Sequence, residues 1–519
     1  MTRAMGRYRP ILTAVLLGLA ALVVGGRGLD RAPVYLYHDE AIYALNAHSI
    51  LTTGRDLMGL RLPLFLHTFA WIPPIAIYAR VLTYVFLPVT EFSTRFPGVV
   101  FFAIDVSLTY LVGRRLFKRE ALAILAGVFL MLTPAHLIHA RLATDHICHM
   151  PFFIAFVWLI VDYIEGRRLL SLGAATTCLG LGIYGYNGAM TQTPVFLALT
   201  GALLFLVLNI RTLRPYVVAG AGMALAMLPF ALWLLVHPET LTDQLRSYDV
   251  SSSSQAAARS VGESLYSALT VRLDAYYNFF DPSLLFFSGD QSLLDSTREV
   301  GVFLLPIVVF LPAGAYYILT HRRTIPELFV LTAFLAAPIG ALIVGEVKAS
   351  RALVMAPLAA LVCARGVEAL MSARNLMWRG AAIVLLAALG LQFQTFYADY
   401  AGPYRERSSG AFEGNRDAAI ASLVGRADAT RAPALYVSND ILLVNYSWQF
   451  YALKHRRPDL KTRMLYFDGQ FDFGTAPDGS LFLSPPDSGR AGVLDASGLT
   501  RVATIDNLDG HPAFAVYEK

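Results

Sequence analysis

Near the start of the chain the stretch YLYHDEAIYALNAHSIL places Asp39 and Glu40 side by side, immediately beyond a long apolar run. Adjacent carboxylates at the edge of an apolar segment suit two tasks. One is general-base chemistry, in which a carboxylate takes the proton of an acceptor hydroxyl. The other is capping, because an acid at a helix start satisfies orphan N–H groups. From residue type and spacing, Asp39 fits both. A further carboxylate, Asp145 in HARLATDH, would keep such a base from being over-stabilised as an anion. Cations follow in GEVKASR, where Lys348 and Arg351 stand near Glu346. Fixed cations in a low-dielectric setting stabilise a leaving phosphate as it gathers charge, although long basic side chains also serve as interface anchors.

The histidines His136, His139, His146 and His149 crowd one short segment, and His146 with His149 and Asp145 has a spacing that a metal could use. No second set of ligands is evident in the sequence. The expectation is therefore no metal and no cofactor, with the histidines satisfied at an interface.

The elements that must position these residues are membrane helices. Of 519 residues, 56% are hydrophobic and 15% charged, against about 25% charged in soluble proteins. Apolar stretches near the roughly 20 residues that a span needs recur up to residue 397. The net charge of +5 lies in short clusters between these stretches, GRRLFKRE, EGRRL, NIRTLR, THRRT and SARNLMWR. Such clusters are topology signals rather than a nucleic-acid surface. Cys148, Cys178 and Cys363 all fall in apolar runs without a pairing motif, as buried small hydrophobes do.

If every basic cluster is cytoplasmic, one apolar segment must not cross. The segment 69–88 is the candidate: it carries Pro73 and Pro74 at its start, Arg80 in its middle and Pro88 at its end. It reads as a helix lying in the interface. About eleven crossing helices remain, with a retained cytoplasmic N-terminus. The expected organisation is a membrane domain over 1–397 with outer loops 30–96 and 237–300, then an extracytoplasmic α/β domain over 398–519. In that last domain, 434–440, 463–468, 480–484 and 511–518 read as strands and 445–455 as a helix. The SSSSQ run at 251–255 is the one low-complexity patch.

The order of these pieces resembles the C-class of membrane glycosyltransferases that use lipid-phosphate sugars, in particular bacterial relatives of the dolichyl-phosphate-mannose protein mannosyltransferases and the aminoarabinose transferases. The resemblance rests on HDEAIYALNAHSILTTGRD, RFPGVVFFAIDVSLTYLVGRRLF, HARLATDHICHMPF, FFDPSLLFFSGDQSLLDSTREVGVFLLP and KASRALVMAPLAALVCARGVEAL, in that order. It implies a polytopic α-helical fold with surface helices in the first outer loop and a small α/β domain at the end. It implies Asp39 as the base, with Glu40 as helper or cap and Asp145 as a second shaping carboxylate. It implies Arg351, with Lys348, at the lipid phosphate. His146 and Tyr43 join them as substrate-binding candidates. AWIPP at 70–74 lacks the Glu-Lys-Pro charges of the aminoarabinose transferases, which argues against a lipid A-like acceptor. The oligosaccharyltransferase WWDYG-type motif is also missing.

The implied activity is inverting transfer of a single sugar from a polyprenyl-phosphate donor to an acceptor hydroxyl of a glycan, lipid or protein. The setting would be the outer face of the plasma membrane, with membrane lipids as partners and no nucleic acid. The rival is a transporter or flippase of a lipid-linked substrate, which would more often carry charge at mid-membrane depth and show repeat symmetry. Here the charges collect at helix ends on one expected face. A scaffold that merely displays the last domain leaves Asp145 and Arg351 without a task.

Overall fold

The structure is a computed structural model that describes residues 2–68, 71–247, 261–343, 347–486, 494 and 497–519. The SSSSQ run and Glu346 lie outside the described residues. The chain divides into two compact units. One comprises 1–27, 62–78 and 96–397, and the other 28–61, 79–95 and 398–519.

The first unit is helical and membrane-spanning. Among the described residues six helices are long and apolar enough to cross a bilayer: Arg9–Gly26, Glu91–Phe117, Ala189–Val207, Leu213–Val236, Ile325–Leu342 and Leu376–Ala401. A seventh crossing is made if Glu120–Met131 and Pro134–Arg141, bent by 57°, form one span. Pro134 explains the bend, since its ring excludes the preceding turn and removes a backbone donor. Further apolar segments of the expected eleven form shorter helices. Met150–Gly166 and Met355–Met371 are 17 residues each, and Leu169–Leu181 passes into a tight 3-10 turn over Gly182–Tyr184. Among the described residues of 69–88 the helix is Pro74–Phe86, 13 residues, about 20 Å long at 1.5 Å per residue. That is shorter than the ~30 Å hydrocarbon core.

Without a hydrophobic drive between helices in lipid, close packing depends on small residues. Ile307–Tyr317 and Met355–Met371 pack through Gly314 and Gly366. A Cβ on Gly314 would lie 2.0 Å from the Val362 carbonyl oxygen, and one on Gly366 would lie 2.0 Å from that of Phe310. Two basic clusters, GRRLFKRE and THRRT, meet at one face of this unit. Arg115 reaches Asp162 at 2.6 Å, and Arg119 and Arg322 share one Glu368 oxygen at 2.7 Å each. Arg365, buried, bridges Glu327 and Glu368 beside them. The sequence separates these clusters by up to two hundred residues, so their meeting supports their assignment to one side of the membrane.

The second unit holds a five-stranded sheet. Its strands are β1 (Leu435–Ser438), β2 (Met464–Phe467), β3 (Leu481–Ser484), β4 (Thr500–Asp506) and β5 (Pro512–Glu518), in the order β2-β1-β3-β5-β4. The strand β1 runs parallel to β2 and β3, with Val437 opposite Tyr466 and Leu483. The hairpin-related β4 and β5 close the other edge antiparallel. Helices Arg416–Thr430 and Val444–Lys454 share a core with the sheet, in which Leu423, Trp448, Leu483 and Val516 are buried. The indole N–H of Trp448 donates to the Leu460 carbonyl at 2.8 Å, which satisfies the one polar atom of the largest buried side chain. Four strands and one helix lie where the sequence pattern puts them. The helix Arg416–Thr430 and strand β4 were missed, although Asn415 caps the helix by accepting from the Ala418 N–H at 3.3 Å.

Candidate functional site

In the second unit the acidic pair opens the helix His38–Thr53. Its N-cap is Tyr37 rather than an acid. The Tyr37 N–H donates to Glu40 Oε2 at 3.0 Å, so Glu40 reaches back to close the first turn. Gly54, left-handed at φ 69°, ends the helix by donating to the Ile50 carbonyl. The helix is buried on all sides over its first half. Every residue from Glu40 to Ala47 is buried, because the helix packs inside this unit against Val444–Lys454.

The two carboxylates have different surroundings. Glu40 has no exposed surface and forms a two-point ion pair with Arg95, Nε to Oε1 at 2.8 Å and Nη2 to Oε2 at 2.9 Å. The same guanidinium donates to the carbonyls of Pro33 at 3.0 Å and Tyr35 at 2.7 Å. Glu40 thereby fastens the loop that leads into the helix. Tyr43 is buried as well, with the Arg80 guanidinium 5.2 Å from its ring centre.

Asp39 keeps a quarter of its side-chain surface exposed, at 26%. Its Oδ1 stands 3.3 Å from His38 Nε2 but out of line, and has no hydrogen-bond partner among the described residues. His38 turns its other nitrogen to Glu413 Oε1 at 2.5 Å, and Glu413 in turn meets Arg416 at 3.1 Å. Burial by itself would lower the His38 pKa, yet the flanking Asp39 and Glu413 carboxylates overcome it and hold the pKa up at about 9. His38 is thus a cation at neutral pH, placed against the candidate base. The same unit contains a cavity of about 330 Å³ lined in part by Tyr35, Glu91, Arg95, Arg416 and Lys454. Lys454 pairs there with Glu91 at 2.7 Å.

The first unit contains the other candidates. The helix Pro134–Arg141 delivers the histidine segment. Its end is held where Arg141, buried, donates to the carbonyls of Gly25 at 2.6 Å and Arg27 at 3.0 Å. Its side is pressed close at Gly98, where a Cβ would meet the Ala140 carbonyl oxygen at 2.3 Å. Asp145 lies buried in the turn that follows, its carbonyl accepting from the Cys148 N–H at 2.9 Å. His146 stands edge-on to both His139 and Tyr186, with ring centres 5.4 and 5.2 Å apart. Lys348 precedes the 3-10 turn Ala349–Ala352 that carries Arg351. The Arg351 carbonyl accepts from Gln192 Nε2 at 2.7 Å, and the Ala349 N–H donates to Asp290 at 2.9 Å.

The sequence reading missed Asp295. It comes from the loop before the helix at Ile307, and its Oδ1 stands 3.3 Å from His139 Nε2. Burial would raise its pKa, but His139, His146 and Lys348 hold it down at about 2. His146 is lowered to about 3, first by burial and then by the neighbouring His139 and Arg351, against the pull of Asp295. A carboxylate from a loop 150 residues downstream leaves no local signal beside a histidine segment, which is why spacing did not find it.

Residues 72–235 match the sequence profile of the family described as dolichyl-phosphate-mannose-protein mannosyltransferase. No curated protein matches the chain. Among solved structures, ArnT from Cupriavidus metallidurans is similar in fold. Its apo form aligns with a TM-score of 0.60 and its form bound to undecaprenyl phosphate with 0.57, each at 16% identity over 97% of both chains. The Saccharomyces cerevisiae protein O-mannosyltransferase Pmt1-Pmt2 complex, bound to its sugar donor, aligns at 20% identity over 45% of this chain and 34% of that one, with a TM-score of 0.35. The resemblance drawn from the five segments is thus met in the fold over nearly the whole chain and in the family profile over part of it.

Proposed function

We propose that the protein is a polyprenyl-phosphate-dependent membrane glycosyltransferase that moves one sugar, with inversion, to an acceptor hydroxyl on the outer face of the plasma membrane. The observation that carries the reading is the state of Asp39: a half-buried carboxylate with an unbonded oxygen, held beside a cationic His38 at the start of a rigid, packed helix. The full-length likeness to ArnT, seen bound to undecaprenyl phosphate, supports the donor class.

In this mechanism Asp39 accepts the proton of the acceptor hydroxyl while the hydroxyl oxygen attacks the anomeric carbon. The bond from that carbon to the phosphate oxygen breaks, and polyprenyl phosphate leaves. A single displacement of this kind inverts the anomeric centre, as in inverting glycosidases with an acceptor in place of water. Lys348 and Arg351 are assigned to the charge that gathers on the phosphate, Asp145 and His146 to shaping the sugar's surroundings, and Tyr43 to support. Glu40, paired and sealed from water, is assigned to positioning Asp39 rather than to proton transfer. The orientation that goes with this reading puts the basic clusters in the cytoplasm and residues 398–519 outside. Asp39→Asn keeps the side-chain shape but removes the base. The variant should fold and bind donor yet lose about 10²–10⁴-fold in turnover, and turnover close to that of the parent would overturn the assignment.

A further inference from the structure

The three groups His139, His146 and Asp295 bring one ligand atom each to within 4.8 Å of one another. Two imidazoles and one carboxylate form the donor set that zinc and related divalent ions take when a position is left open for an outside ligand. The separation of His139 Nε2 from Asp295 Oδ1 is 3.3 Å. Metal-to-ligand bonds of about 2.05 Å in a tetrahedron put neighbouring ligand atoms about 3.3 Å apart, so this pair already stands at a coordination edge.

The hydrogen bonding of the two histidines supports the same use. His139 is fully buried, and its Nδ1–H donates to the Ala135 carbonyl at 2.8 Å. That bond leaves Nε2, the nitrogen that faces Asp295, as the ligand atom, which gives up its proton when the ion binds. Nε2 is itself buried with no hydrogen-bond partner among the described residues, a cost that a simple structural His–Asp contact would have removed by alignment. His146 bonds through Nδ1 to the Thr144 hydroxyl at 3.2 Å, leaving its Nε2 as the donor atom. Outer hydrogen bonds of this kind fix ring orientation in metal sites. The supporting backbone is tight. A Cβ on Gly185 would meet the Cys148 and His149 backbone at 2.8 Å, and one on Gly301 would meet that of Phe286 at 2.3 Å. Both the histidine segment and the Asp295 loop are therefore held in place.

We propose that His139, His146 and Asp295 bind one divalent transition-metal ion of the Zn²⁺ class. The remaining coordination position takes an anionic oxygen, because an ion held by two neutral imidazoles and one carboxylate keeps a net positive charge. In a glycosyltransferase of the kind proposed above, that oxygen belongs to the donor phosphate. This last clause rests on that reading, whereas the ion site does not.

The test is metal binding by the purified full-length protein without any donor. After chelator treatment, Zn²⁺ is titrated and the bound metal counted by elemental mass spectrometry, and Co²⁺ is added to read the ligand-field absorption of a nitrogen- and oxygen-coordinated ion. One ion per chain is expected. His146→Gln and Asp295→Asn should each weaken it more than about 100-fold, and Thr144→Val by about 10-fold. His237→Ala, remote in sequence and partly exposed, should leave it unchanged. Thermal unfolding of each variant separates lost ligation from lost folding, and Asp295→Glu should restore binding in part. No stoichiometric binding by the parent, or binding that all the variants retain, would overturn the proposal. Neither result bears on the Asp39→Asn measurement.

Discussion

At the scale of single residues, the decisive contrast lies within one acidic pair. Glu40 is a fully buried partner of Arg95, and breaking a buried pair by removing one member costs about 3–5 kcal/mol. Glu40→Gln should therefore lower the unfolding temperature markedly and reduce activity in proportion to the folded protein lost. Asp39→Asn should remove turnover while costing far less stability, no more than the share of Asp39 in the ion pair with His38. Thermal melts and turnover measured on the same preparations separate the two. His38 adds a pH prediction. Its pKa is raised in the folded state from the ordinary 6.5 to about 9 by Asp39 and Glu413, against the opposing effect of burial. Its contribution to stability is thus complete below pH 6.5 and is lost as pH rises through about 9. Melting temperatures scanned from pH 6 to 10 should fall more steeply above 7 for the parent than for Glu413→Gln, and parallel curves would contradict the bridge. Sequence made the acidic pair conspicuous, yet not the difference between its members. That difference depends on Arg95 and Glu413, which lie 55 and 375 positions away from their partners.

At the scale of elements, helix packing is set by glycine contacts. Gly366→Ala forces a methyl group against the Phe310 carbonyl, and overpacking of this kind costs about 1–3 kcal/mol. Gly425, inside Arg416–Thr430, has nothing within 4 Å of its Cβ position, so Gly425→Ala should stabilise by about 0.4–1 kcal/mol. Thermal unfolding of both in one detergent gives opposite signs if the packing is as described. Apolar periodicity located most elements, and Pro73, Pro74 and Pro88 marked the segment too short to cross. The number of uninterrupted spans was less legible. Length and composition cannot tell a straight crossing from one broken at Pro134 or tightened at Gly182, because the freed backbone groups are satisfied by neighbouring chain. The last domain was read well where strands are apolar, including β2 with Leu465 and Tyr466 exposed. It was read poorly at β4, whose residues are mostly exposed or half-exposed.

At the scale of the whole molecule, Arg119 and Arg322 converge on one acid, Glu368, while the charges assigned to chemistry lie in loops and helix starts. With the native cysteines replaced, a single cysteine at Lys118 should resist a membrane-impermeant maleimide in intact cells. One at Asp478, which is almost wholly exposed, should react at once, and the reverse pattern would contradict the proposed orientation. The central claim is Asp39-dependent sugar transfer from a lipid phosphate. It is tested most directly by incubating the purified protein with a panel of polyprenyl-phosphate sugars, in the presence of membrane extract as acceptor source, and following release of polyprenyl phosphate. Consumption of at least one donor by the parent is expected, with a loss of about 10²–10⁴-fold in Asp39→Asn. Donor consumption that is equally fast in Asp39→Asn would contradict the central claim.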